Sequence, residues 1–535
     1  MTYSVHDEGQ FYRQTVNQVK EFTQVDNARV YGNQFHAYRN SGHLTSCRYY
    51  GADQTADTAD DLVVYNVLDH YGRTITSYTT DYQKEKLLGV TAGAYKANSA
   101  TSATNNRLTK AASSGQHVEN LLLNSGMEYT VDELGTPSDW EKKCSHEAIG
   151  ITNAAVGSTF TFSGKTVQAH TGQGLLKAYI GNVNTTAEDY SALRQSAQLT
   201  QGVTYTFSAY VNTYTVNQFG DGCGAYIGFQ NHTEGMDFVE KSELIDYRTN
   251  PGIENGWERL SVSFTPETSG AYYLVVGMQG AQGIAAFDDV QLEVGDTVSS
   301  VNLLQNSGFE VGSQLSTYWS GIGSTGNTLA DPKGEIAVVR GQVLHISGAS
   351  SADKQVSQNV KINQDSDVTF LLSGWGCADS VPFYAKEDGT YERFFGLIAK
   401  ITYTDNTTEN HYVPFDASYS GWQYATGIIV PKQSNKTVST VTVQCAYNKN
   451  ANDAYFDGVS LIEEPVQTYS YDEKGNPIAA TDAGAGYSYA YTYDTAGNIR
   501  SAAAQAMKLH FLQKKLWNTW FQSFLLGAGR SGHFP

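Results

Sequence analysis

Residues 120–128, Asn-Leu-Leu-Leu-Asn-Ser-Gly-Met-Glu, return at 302–310 as Asn-Leu-Leu-Gln-Asn-Ser-Gly-Phe-Glu, with seven of nine positions identical. A match of that length, 182 residues further on, is an internal duplication. Each copy also closes alike: a Gly-Trp pair (Gly256-Trp257, Gly421-Trp422) precedes Phe-Asp-x-Val-x-Leu at 287–292 and 456–461. Two homologous domains follow, 119–297 and 301–464, and a chain of 535 residues has room for more on either side.

Inside each copy, apolar residues alternate with polar ones at the strand period of two. Val203, Tyr205, Phe207, Ala209 and Val211 are predicted to face a core, leaving Thr204, Thr206, Ser208 and Tyr210 on the other side. In the second copy Val368, Phe370 and Leu372 take the core positions and Trp375 stands where Tyr210 does. The chain is rich in Thr, Ser and Tyr and holds ten Pro, which predicts an all-β, multi-domain protein. An aromatic ring on an otherwise polar face is a stacking platform for a sugar, so Tyr210 and Trp375 are the candidate carbohydrate-binding residues. Trp140, Trp319, Trp257 and Trp422 sit at matched positions in both copies and are assigned to packing.

Charge and motifs narrow the function further. With 54 acidic against 35 basic residues the net charge is −19, and no basic stripe precedes the last 40 residues, so a nucleic-acid partner is not expected. Cys47, Cys144, Cys223, Cys377 and Cys445 are scattered and none forms C-x-x-C, so neither a disulfide scaffold nor a zinc ribbon is readable. No apolar run reaches the roughly 18 residues of a membrane span, and Met1 to Gln10 lacks a secretory signal. G-x-S-x-G, a P-loop and G-x-G-x-x-G are absent, and His146-Glu147 lacks a second histidine because Gly150 stands there. These readings predict a chain that is not an enzyme.

Flanking segments carry a second motif. Tyr471-Asp-Glu-Lys-Gly-Asn476 and Tyr493-Asp-Thr-Ala-Gly-Asn498 are one unit repeated after 22 residues, an aromatic strand end followed by an Asp-x-x-Gly turn. This pattern resembles the YD repeat of bacterial RHS proteins, and Asp69-His-Tyr-Gly-Arg73 is a degenerate copy of it. Segment 1–118 is thus an N-terminal degenerate RHS/YD-like β segment and 465–500 holds YD repeats. The resemblance implies a large secreted or surface protein whose repeats wind into a hollow shell, so the rest of a longer RHS protein is an expected partner and the location is extracellular or at the cell surface. From Thr495 onward there is no Asp or Glu, and Leu509, Leu512, Leu516, Trp520 and Phe524 fall at helical spacing. Residues 501–535 are read as an atypical basic amphipathic tail with a short C-terminal helix.

The opening and closing motifs of the duplicated domains resemble those of carbohydrate-binding modules attached to bacterial xylanases. That resemblance implies two tandem jelly-roll-like antiparallel β-sandwiches flanked by the YD-repeat hairpins. It also implies a structural calcium held by acidic residues of the first and last strands: Glu128 with Asp288 in the first copy, Glu310 with Asp457 in the second. Asp289 has no acidic counterpart, since Gly458 takes its place. The expected function is non-catalytic binding or display of a polysaccharide or glycan. The alternatives are a structural spacer in an RHS toxin-delivery shell and an accessory region of a polysaccharide-degrading enzyme.

Overall fold

A computed structural model of the chain describes residues 3–5, 11–13, 43–49, 53, 55, 58, 60–68, 73–81, 87–96, 107–114, 119–131, 136–145, 150–154, 159–162, 165–180, 186–218, 224–231, 238–242, 256–323, 326–334, 339, 341–378, 393–416, 419–464, 466–482 and 487–506. Apart from the 3-10 turn Gly312–Gln314 and the helix Leu315–Tyr318, every regular element described is a strand. The helix expected in the tail lies outside the described residues. Residues 501–506 belong instead to the strand Ile499–Ala506, which pairs with Tyr487–Tyr493.

Each duplicated copy is a pair of antiparallel sheets. In the first, Glu258–Phe264, Tyr205–Gln218, Ala281–Val294, Leu175–Ile180 and Gly150–Ala154 lie side by side in that order. They face the row Phe238–Lys241, Gly224–Gln230, Gly270–Gln279, Tyr190–Leu199 and Glu141–Cys144. In the second, the row Asn327–Ala330, Val343–Ser347, Asp453–Glu463, Phe370–Ala378 and Gln423–Ile429 faces a sheet of four: Gln355–Asp365, Thr437–Asn448, Phe394–Tyr403 and Thr408–Pro414. Alternation works as the sequence predicts. Tyr205, Phe207, Ala209 and Val211 join Phe229, Leu274 and Phe287 in one core, while Val368, Phe370 and Leu372 join Phe395, Val443 and Phe456 in the other.

The duplicated opening motif is a clasp between the start and the end of each sandwich. The Asn120 side chain accepts from the amides of Leu122 and Leu292, both at 3.1 Å, and donates to the Val290 carbonyl at 2.8 Å. Asn302 repeats this with Leu304, Leu461 and Val459, each at 3.1 Å. Gln195 and Gln358 grip the backbone of positions 123 and 305, and the indoles of Trp140 and Trp319 donate to carbonyls of the same turn. Buried backbone groups of an irregular segment need such partners, and here side chains supply them.

The flanking repeats form one continuous sheet of nine strands. Strands His43–Tyr49, Leu62–Leu68, Thr74–Asp81, Leu87–Tyr95 and Leu108–Ser114 are followed, in space, by Gln467–Tyr471, Pro477–Asp482, Tyr487–Tyr493 and Ile499–Ala506. Thr468 pairs with Lys110 and Gln467 with Ala111, so both sandwiches are an insertion between neighbouring strands of one sheet. Both Asp-x-x-Gly turns are built alike. One oxygen of Asp472 accepts from the amides of Lys474 and Asn476, Asp494 does the same for Ala496 and Asn498, and Gly475 and Gly497 take φ of 84° and 88°. The Asn476 and Asn498 carboxamides hold these carboxyls below the usual range.

Asn302 is fully buried, and Asn302→Ala would strand two amides and a carbonyl there. We expect a loss of about 3 kcal/mol, seen as a lower urea midpoint of the chain. A loss below about 1 kcal/mol would show that the clasp is dispensable.

Candidate functional site

Tyr210 and Trp375 occupy equivalent places: each lies opposite the acidic residue of the closing motif, Asp288 or Asp457, beside a bulge in the last strand. At that bulge Asp289 adopts φ 48° and Gly458 φ 51°, so one backbone shape is kept by two different residues. Both rings do leave the core, yet neither is open to a sugar. Tyr210 is 5% exposed and Trp375 2%. His170 stacks on Tyr210 with ring centres 3.7 Å apart and Trp257 stands edge-on to His170. Trp375 is covered by the repeat sheet: Tyr78 meets it edge-on at 5.8 Å, with Tyr424 of the neighbouring sandwich strand 5.1 Å from the indole, and Thr76 donates to the Thr426 carbonyl at 2.8 Å. The alternation of a single strand reports which side a ring takes, and a segment some 300 residues away decides whether that side is wet. Trp257 and Trp422 are rim residues whose indoles donate to the carbonyls of Gln168 and Lys333.

The four acidic candidates form two sites that have diverged. In the first sandwich, Glu128 accepts from the amides of Gln173 and Gly174 at 2.6 and 2.7 Å, and Asp288 accepts from His170, Thr171 and Asp289. Asp289 is bound by the His170 ring and the Thr171 hydroxyl. The loop 170–174 supplies N–H and O–H donors to these carboxylates in the manner of a capped turn, while Glu128 Oε2 is buried without a hydrogen bond, with Lys361 Nζ 3.4 Å away. Burial raises the Asp288 carboxyl well above its usual range, with Asp289 and Glu128 adding to it. In the second sandwich, Glu310 receives the Gln342 amide at 3.3 Å, and one oxygen of Asp457 is buried without a hydrogen bond. That orphaned oxygen fits a hard cation.

The two heads face each other. Ser125 donates from its amide to Gln305 at 3.0 Å, Gln305 donates back to the Ser125 hydroxyl at 2.9 Å, and Lys361 stands 3.4 Å from Glu128. Leu123, the counterpart of Gln305, is buried in the second core. The one strongly altered position of the duplicated turn is thus the contact between copies, and the sequence comparison alone gave no sign of that role.

Sequence reasoning also missed the outer face of the first sandwich's second sheet. There Arg194 lies 3.9 Å above the Tyr273 ring and donates to Glu141 at 2.7 Å. Tyr226, Gly277 and Ala192 line up across three strands, with Lys241 5.4 Å over the Tyr226 ring. The Tyr226 hydroxyl is buried without a hydrogen bond, and burial raises its pKa.

A sheet of Tyr-Asp-x-x-Gly hairpins defines the class of repeat: residues 467–505 match the RHS Repeat family. Among curated relatives, the chain is 27% identical over 326 residues to a tRNA nuclease, WapA, of Bacillus subtilis (strain 168), covering 59% of this chain. It is likewise 27% identical over 322 residues to a tRNA3(Ser)-specific nuclease WapA of Bacillus spizizenii, covering 58% of it. The matched part spans 13% of each relative's length. Among solved structures, the tandem CBM22-1–CBM22-2 domain of Paenibacillus barcinonensis Xyn10C aligns with 65% of this chain and 98% of its own. The identity is 14% and the TM-score 0.22. A family 16 carbohydrate-binding module covers 30% of this chain at 19% identity and TM-score 0.21. Structural similarity at that level says nothing about ligands.

These relatives correct two expectations. The absence of an enzymatic role and of a nucleic-acid partner is overturned by relatives named as tRNA nucleases. The physical reason is one of scope: the part of this chain that matches, 326 residues, spans 13% of such a protein, so its net charge and motif content do not report on the rest. No helix among the described residues is long and apolar enough to cross a membrane.

Trp375→Ala tests the covering of that ring. Removing a buried indole at the contact is expected to cost about 3–5 kcal/mol and to expose the strands between residues 43 and 114 to limited proteolysis. An unchanged cleavage rate would place the sheet's attachment elsewhere.

Proposed function

We propose that this chain is the sandwich-bearing section of a large RHS-repeat protein of the extracellular space or cell surface, one that acts on tRNA as its relatives do. Within it the sandwich pair engages a glycan. The observation that carries this reading is the pairing of Leu108–Ser114 with Gln467–Tyr471. A repeat sheet that runs on across an insertion of some 350 residues is a scaffold presenting that insertion, as insertions at loop tips generally are presented.

The outer face with Arg194, Tyr273 and Glu141 supports the glycan. The partly exposed Tyr273 ring and the half-exposed Glu141 carboxylate provide a stacking edge and acceptors there, with Arg194, itself 7% exposed, lying on the ring and paired with Glu141. A second reading, the sandwiches as structural spacers, is favoured by the burial of Trp375 under the repeat sheet, which makes the second sandwich a support for the repeats.

The chain applied to a glycan array tests the binding half. Tyr273→Ala should weaken binding about tenfold or more, the equivalent of roughly 1.4 kcal/mol, while Tyr210→Ala should not act through the same face. No binding by the folded chain would leave the spacer reading. Cleavage of purified tRNA by the whole protein that carries this chain tests the other half.

A further inference from the structure

The repeat sheet has two unlike faces over its last four strands. Their pairings set Tyr469, Ala480, Tyr489 and Ala504 in one row, Asp482, Tyr487 and Ala506 in the next, and Tyr491 with Ala502 in a third. Directly paired residues share a face, so one side carries these tyrosines with Ile478, and the other carries Thr468, Ser470, Ser488, Thr492 and Ser501. The second sandwich lies on the polar side. Thr468 pairs with Lys110, and Ala112, two residues further along that strand, joins a cluster with Leu371 and Ile462 of the sandwich. The tyrosine side is open: Tyr487 is 43% exposed, Tyr489 38% and Ile478 40%.

A sheet face of this composition is ordinarily covered by a second layer, and an open one marks where another segment docks. Its relief limits what fits. Tyr487, Tyr489 and Tyr491 stand as a ridge, and Ala502, Ala504 and Ala506 of the neighbouring strand make a low floor beside it, on which a helix can come close to the backbone. The sequence directly after Ala506 has the pattern of such a helix. Leu509, Leu512, Leu516, Trp520 and Phe524 fall within an arc of about 120° at about 100° per residue, and Gly527 follows as a stop signal. A helix of about 18 residues is about 27 Å long, close to the roughly 23 Å of the strand Tyr487–Tyr493. Charge agrees as well. Residues 467–506 hold Asp472, Glu473, Asp482 and Asp494 against Lys474 and Arg500, whereas residues 507–535 hold Lys508, Lys514, Lys515 and Arg530 and no acidic residue.

We infer that residues 507–526 turn back as a helix over the tyrosine face, with the stripe of Leu509, Leu516 and Trp520 against the tyrosine ridge and the alanine floor. Ala506 is paired with Tyr487, so the chain leaves the sheet beside its most exposed tyrosine and needs only to reverse to run along Tyr487–Tyr493. The occupant of the face is thus a segment of the same molecule, and the sheet lies between two layers, the second sandwich on one side and this helix on the other.

Hydrogen–deuterium exchange of the full chain, read by mass spectrometry, tests the inference. Amides of residues 509–526 should exchange about tenfold or more slower than those of an unstructured chain. Tyr489→Glu on the sheet and Leu516→Glu in the tail should each abolish that protection, and Leu516→Glu should also speed exchange within Tyr487–Tyr493. Thr492→Glu, on the polar face, and Asn518→Glu, across the helix from the stripe, should leave the protection in place. Unprotected amides throughout 509–526, protection that survives Tyr489→Glu, or protection that falls on dilution, as it would if a second copy supplied the contact, would overturn the inference. Tyr489 is an exposed side chain, so Tyr489→Glu is expected to fold, which unchanged exchange in the sandwich strands Tyr205–Gln218 and Phe370–Ala378 checks.

Discussion

The structure depends on a buried asparagine carboxamide tying the first residues of each sandwich to its last strand. Asn120 and Asn302 each satisfy backbone groups on both sides of that junction, and the pairings of Leu121 with Leu292 and Leu303 with Leu461 extend it. A domain whose ends meet can be inserted elsewhere without disturbing its host. For a tandem pair, the start of one sandwich must also lie near the end of the other. Head-to-head docking accomplishes that, since Ser125 meets Gln305 and Glu119 reaches Gly308. Strands Leu108–Ser114 and Gln467–Tyr471 can then be neighbours although the whole insertion separates them in sequence.

The two copies show how a duplicated fold divides its work. Residues that hold the fold stayed alike: the asparagine clasp, the glutamine grip, and the indole bonds of Trp257 and Trp422 to loops 89 residues upstream. Residues that face the other copy changed. Leu123 became a core residue of its neighbour and Gln305 a polar clasp, while His170 and Thr171 fill a site whose counterpart has no such donors among the described residues. A buried polar group left without a partner costs about 1–3 kcal/mol, and each copy holds one such oxygen at this place, on Glu128 in the first and on Asp457 in the second.

Covering of the outer faces separates support from recognition. The second sandwich turns its Trp375 and Tyr424 rings to the repeat sheet, where Tyr65 and Tyr78 pack over them. The first sandwich leaves Arg194 and Tyr273 on its far sheet. If the pair recognises a surface glycan, that face is the one with suitable chemistry, and the nuclease character of the relatives belongs to proteins several times longer than the matched stretch.

The sequence by itself determined the duplication, the all-β class and which strand positions face each core, because hydrophobic alternation is local and the nine-residue motif is repeated. It also determined the hairpin turns, since Asp472 and Asp494 need only neighbours two to four residues away. Tertiary structure alone decided that Tyr210 and Trp375 are covered, that the flanking segments share one sheet, and that Glu119 reaches the second copy. Each of those outcomes rests on segments distant in sequence: Tyr78 on Trp375, Lys110 beside Thr468, Glu119 against Gly308. Burial and charge compensation are properties of what comes to lie nearby in space, and no local pattern encodes them.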